Sequence, residues 1–174
     1  MPKAASLWVE AKPLMIPFEG NATTIHILDL PPAFLSRCVD QFEAVVGRIT
    51  PHMIASWAYG DDPPTWNEDI RSRVLAPSDD GALHLLVGPF HNGLLQLHIW
   101  APAPGGLLCL ELVFFADDIF PDQHDDGANE QIFGEIVGQV DNIRRDAPGA
   151  RCLLTPLESC DPREEISKER GLVW

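Results

Sequence analysis

Basic residues are scarce in this chain: 12 Lys and Arg stand against 26 Asp and Glu, for a formal net charge of −14. A nucleic-acid binder needs a basic footprint to neutralise phosphates, so that class is set aside. The same deficit argues against docking on anionic lipid. No apolar run approaches the roughly 20 residues that cross a bilayer. The opening MPKAASLWVEAKPLMIPF has no uninterrupted apolar core of leader length and carries Glu10 and Lys12 within it. The expectation is a cytoplasmic protein that binds neither nucleic acid nor membrane. Cys38, Cys109, Cys152 and Cys160 show no CxxC spacing, and in a reducing compartment they read as buried or idle thiols, not as a disulfide framework. Catalytic signatures are missing as well: there is no GxSxG, HExxH, Walker A loop or GxGxxG. DPREEISKER approaches a nuclease acid–lysine pattern, but Ile166 stands where a carboxylate is needed two residues before Lys168.

What the chain has is enough apolar material to fold without staples. Its 174 residues are 45% apolar, which suits one domain with a substantial core. PPAFLSRCVDQFEAVVGRI reads as a helix, with prolines in the first turn and Phe34, Leu35, Cys38, Val39, Phe42, Val45, Val46 and Ile49 at helical spacing. Asn129–Arg145 is a second, its stripe running through Ile132, Phe133, Ile136, Val137, Val140 and Ile143. Gly134 and Gly138 lie one turn apart, which would let that helix approach a sheet. TTIHILDL, HMIASWAY and ARCLLTPLE read as strands, residues 6–17 as extended, and Asn67–Leu75 as a short helix or irregular segment. ALHLLVG, GLLQLHIWA and GLLCLELVFFA are joined by links too short for crossover helices, so they form an antiparallel meander. The expected fold is therefore α+β: an antiparallel sheet with a three-strand meander and two main helices packed on one face, spanning 1–174. The charged tail 159–174 is expected to be partly mobile unless Leu172, Val173 and Trp174 dock.

Two constellations carry chemistry. Alternation places Gln96, His98 and Trp100 on one strand face and Cys109, Glu111, Val113 and Phe115 on another. If His84 and Leu86 share that side, then His84, His98 and Glu111 converge as two histidines and a carboxylate able to take zinc or iron. The opposite face, with Leu83, Leu85, Val87, Leu95, Leu97, Ile99, Leu108, Leu110, Leu112 and Phe114, is then the core. The plainer reading of the same pattern is a half-solvated sheet face. The second constellation is acidic. Val74–Ile143 is 70 residues without a Lys or Arg and holds eleven acids. Within it, ADDIFPDQHDDG starts like a calcium loop at Asp122, His124, Asp126 and Gly127, but Phe133 replaces the bidentate Glu of the twelfth position. Asp125 and Asp126 suit a helix N-terminus, leaving Asp117, Asp118 and Asp122 to face solvent or a partner. In GDDPPTWNED, Trp66 sits among Asp61, Asp62, Glu68 and Asp69, a candidate protein-binding anchor with a polar rim or a ring tucked over the core edge.

In size, acidity, α+β order, meander and acidic stretches the chain resembles bacterial immunity proteins, the cytoplasmic antidotes of polymorphic or type VI secreted toxins. The resemblance implies a non-enzymatic inhibitor without cofactor or metal. Its acidic loops would occupy the basic surface of a cognate toxin, such as a nuclease. Asp61, Asp62, Trp66, Glu68, Asp69, Asp117, Asp118, Asp122, Asp125 and Asp126 are the partner-binding candidates. A metal-dependent enzyme built on His84, His98 and Glu111, or an acidic secretion chaperone, are the alternatives.

Overall fold

A computed structural model describes residues 4–15, 22–77, 82–101, 106–145, 147, 149–156 and 171–174. Eight strands form one sheet: β1 (Ala22–Leu30), β2 (Thr50–Ile54), β3 (Trp57–Ala58), β4 (Ala82–Phe90), β5 (Gly93–Ala101), β6 (Leu108–Phe115), β7 (Arg151–Pro156) and β8 (Leu172–Val173). Their spatial order is β3-β2-β4-β5-β6-β1-β7-β8, and every neighbouring pair is antiparallel. The α+β expectation holds, and β4–β5–β6 is the expected meander. Helices α1 (Ala4–Met15), α2 (Leu35–Val46), α3 (Glu68–Leu75), α4 (Ala116–Ile119) and α5 (Asp126–Arg144) complete the set.

Helices α2 and α5 form where apolar spacing demanded them. Leu35, Cys38, Val39, Phe42 and Val46 of α2 are buried, as are Ile132, Phe133, Ile136, Val137, Val140 and Ile143 of α5. Both stripes join one core with Leu95, Leu97, Ile99, Leu108, Leu110, Leu112 and Phe114 from β5 and β6. A Cβ at Gly138 would meet nothing within 4 Å, so close approach to the sheet is not what that glycine serves. Gly88 is the glycine that does: a Cβ there would fall 2.4 Å from Val46 Cβ and 2.8 Å from the Arg48 carbonyl oxygen. Its absence lets the end of α2 sit directly on β4.

Two local expectations are overturned. Residues 4–15 are helical, not extended: Leu7, Trp8, Ala11 and Met15 recur at helical spacing and are buried, the Trp8 ring lying 5.5 Å from Phe120 and 5.6 Å from Phe133. Pro13 is tolerated because it falls in the last turn, where one missing N–H costs a single bond near a frayed end. HMIASWAY is a hairpin, not one strand. Ala55 (φ 49°) and Ser56 (φ 62°) turn the chain between β2 and β3 in the left-handed region that hairpin turns require but these residues disfavour. Three contacts hold the turn against β4: Ser56 N–H donates to the Leu83 carbonyl, Leu83 N–H to Ser56 Oγ, and Ala55 N–H to His84 Nδ1. At the other edge, β8 pairs with Leu153 and Leu154 of β7, so residues 171–174 do dock; residues 157–170 of the tail lie outside the described residues.

Candidate functional site

The meander register decides the first constellation. Directly opposed residues of an antiparallel pair point to the same side, and His98 faces Glu111 while His84 faces Ile99. His84 therefore points into the helix-covered core, and Leu83, Leu85 and Val87 share the face of His98. The expected convergence fails for His84, and the core assignment of Leu83 and Leu85, both only partly buried, fails with it; Val87, on the same face, is buried as expected. The expectation for β5 and β6 holds.

The structure supplies a different histidine. His26 of β1 lies opposite Glu111 on the side away from His98, so the row across β1, β6 and β5 reads His26, Glu111, His98. His26 Nδ1 is 3.4 Å from Glu111 Oε1, and His98 Nδ1 is 3.3 Å from Oε2. Each ring's other nitrogen is anchored, His26 Nε2 at 3.0 Å from Thr155 Oγ1 and His98 Nε2 at 3.2 Å from Gln96 Oε1. Burial opposes charge on Glu111, but its contacts with His26, His98 and Trp100 outweigh that cost and hold the carboxyl far below its ordinary range. His26 is buried, while Glu111 is partly open to solvent beside half-exposed Trp100. At 3.4 Å the His26 contact is electrostatic more than a hydrogen bond, and Nδ1 has no partner at hydrogen-bonding geometry among the described residues. Chemically the row clamps a fixed carboxylate between two imidazoles. Among the described residues no three His, Cys, Asp or Glu side chains are placed to hold a metal ion together.

His84 is now a core residue. Its Nδ1 accepts from Ala55 N–H at 3.2 Å, its Nε2 is buried without a partner, and burial lowers its pKa from 6.5 to about 4. The thiols of Cys38 and Cys152 are buried and burial pushes both up to about 12, which leaves them un-ionised and poor nucleophiles at neutral pH.

The acidic stretches hold carboxylates that build local structure and carboxylates exposed to solvent. Asp125 caps α5 by accepting from Ala128 N–H at 3.1 Å. Asp126 accepts from Lys12 Nζ and, at 3.2 Å, from Trp8 Nε1, and the Lys12 and Trp8 contacts lower its pKa. Asp122, expected to have no local duty, shapes its turn by accepting from His124 N–H at 2.8 Å. Its carbonyl also takes the buried Asn129 side-chain N–H at 2.6 Å. Asp117 and Asp118 lie exposed on α4, immediately after β6. Asp61, Asp62, Glu68 and Asp69 are also exposed. Glu68 and Asp69 occupy the first turn of α3, capped by Asn67 accepting from Ile70 N–H at 3.0 Å.

Topology gathers these displayed acids. Thr50 at the start of β2 opposes Val87 near the end of β4, and β3 returns along β2, so the 59–67 loop emerges beside Thr50. The β4–β5 turn and the end of β6 lie at the same end of the sheet. Asp61 and Asp62 therefore share one end with Asp117 and Asp118. Trp66 lies there too, packed against the core and donating its indole N–H to Glu43 Oε1 at 3.2 Å. The ring also lines a cleft of about 290 Å³ between Gly47–Thr50 and Pro63–Trp66. Sequence gave no sign of this cleft, because its walls come from segments brought together by the β2–β3 hairpin.

No helix among the described residues is long and apolar enough to cross a membrane. Comparison of the chain with protein-family models, with curated proteins and with solved structures returned no match.

Proposed function

We propose that the chain is a protein-binding inhibitor of the toxin-immunity kind, which occupies the basic surface of a toxin with the carboxylates at one end of its sheet. The observation that carries this reading is the co-location of Asp61, Asp62, Asp117 and Asp118, all exposed, around the β4–β5 turn and the start of β2. Few basic side chains offset this end: Lys12, Arg71, Arg144 and Arg151 are paired with Asp126, Asp40, Asp141 and Asp29, and Arg48 is the cation that lines the cleft beside Trp66. Concentrated charge of one sign speeds encounter with an opposite surface and rejects like-charged competitors. The His26–Glu111–His98 row lies on the sheet face opposite the α2–α5 core, with His26 buried and Glu111 partly exposed, and is structural in this reading.

The test is direct. The product of the neighbouring reading frame is titrated calorimetrically with the native chain and with a variant carrying Asp61, Asp62, Asp117 and Asp118 all changed to Lys. Asp122, Asp125 and Asp126 are left intact because they build the fold. The expected result is loss of binding by at least about 100-fold with unchanged circular dichroism, the scale of two or more lost interfacial charge pairs. Equal affinities for the two proteins remove the acidic end from the mechanism.

A further inference from the structure

Resting on the partner-binding reading, we propose that the cleft beside Trp66 receives an arginine side chain of the partner. About 290 Å³ is at the lower bound of small-ligand pockets and suits one or two side chains better than a cofactor. Its walls are Trp66, Pro63 and Pro64 on one side and the α2–β2 link on the other. Proline-stiffened walls are already ordered, so occupying them costs little conformational entropy. The charge around the cleft selects the occupant. Asp61 and Asp62 directly precede the Pro63–Trp66 wall, Asp69 follows it, and Glu43 touches the Trp66 indole. Against them the lining carries one cation, Arg48. Arg71 is taken up by Asp40 and Glu68. No carboxylate lines the cleft itself, but an anion drawn to Arg48 would still meet the adjoining Asp61, Asp62 and Glu43 as repulsion, and a neutral group would gain nothing from them.

Among cations, arginine fits best. A guanidinium is planar and weakly hydrated, stacks on an indole, and presents a fork of N–H donors to carboxylates. Its aliphatic stem would lie along Pro63 and Pro64 while the head reaches Asp61 and Asp62 at the rim. Arg48 disfavours this occupant, so removing it should tighten binding.

The full chain, ¹⁵N-labelled, is titrated with the peptide acetyl-Gly-Arg-Gly-amide, and the Trp66 indole N–H resonance, identified by its loss in Trp66→Phe, is followed. The same titration uses the citrulline and glutamate counterparts of the peptide. The expected result is a saturable Trp66 shift with the arginine peptide only. In Asp61→Asn/Asp62→Asn it weakens about five-fold, the scale of an exposed charge pair, and in Arg48→Ala it strengthens. No shift, an equal shift with citrulline, or a shift with the glutamate peptide that Arg48→Ala abolishes would each overturn the proposal. An arginine response confined to Asp117 and Asp118 removes the cleft yet leaves the wider inhibitor reading standing. A Trp66 response in a protein whose toxin binding ignores charge reversal leaves the cleft and removes that reading.

Discussion

His84 should make this protein lose stability in mild acid. Its ring lies in the core with Nδ1 accepting from Ala55 N–H and Nε2 buried without a hydrogen-bond partner among the described residues, and burial lowers its pKa from 6.5 to about 4. The folded state therefore keeps the ring neutral, while the unfolded chain takes up a proton below about 6.5. The stabilisation is complete above that value, declines as pH falls, and is gone below about 4. The interval amounts to about 3 kcal/mol when fully titrated, of which about 2 kcal/mol has been lost by pH 5. Urea unfolding followed by far-UV circular dichroism at pH 7, 6 and 5 measures it, with His84→Asn as reference. Asparagine keeps a neutral acceptor for Ala55 N–H and does not titrate, so it lowers stability by an amount independent of pH. The native protein should lose about 2 kcal/mol more than the variant between pH 7 and pH 5. If the gap between the two stays constant within about 0.5 kcal/mol, the ring is not held neutral by burial and the reasoning fails.

Three further outcomes follow from the same structure. Phe133→Ala, which empties a fully buried site between α5 and Trp8, should cost about 3–5 kcal/mol by urea midpoint at unchanged slope. Asp125→Ala should cost about 1 kcal/mol through loss of the α5 cap, whereas Asp118→Ala, exposed on α4, should stay within about 0.5 kcal/mol. Glu111→Gln should destabilise by about 2 kcal/mol at pH 7, the scale of hydrogen bonds to a charged group. Because the native carboxyl is held below its ordinary value of 4.5, that contribution is present above pH 4.5 and is lost as acid protonates the folded state; a difference between native and variant that does not shrink in acid denaturation would count against the clamp.

The sequence was most legible where one period dominated. The stripes of α2 and α5 and the alternation of β5 and β6 leave one apolar face each, so their burial could be read directly. In β4 both faces are apolar, Leu83, Leu85 and Val87 against Ala82, Leu86 and Phe90, and alternation then cannot say which side meets the helices. Alternation alone therefore puts His84 on the wrong side. His26 was missed because its neighbours come from pairings 85 residues away with β6 and further still with β7, which no local pattern encodes. Its one available signal was that Thr24, His26 and Leu28 share a face in a strand otherwise made of core residues. The β2–β3 turn was hidden because Ala55 and Ser56 carry no mark of left-handed backbone, and three prolines in the first 17 residues masked the helical spacing of α1.

The two outermost strands, Trp57–Ala58 and Leu172–Val173, are each only two residues long. A sheet grows by recruiting another chain along a rim of unsatisfied amides, and such stubs offer too few to template an addition. Among the described residues the flanks therefore offer another copy little backbone to pair with. On the proposed reading, a partner is met by side chains at the sheet's end and not by strand addition at its flanks.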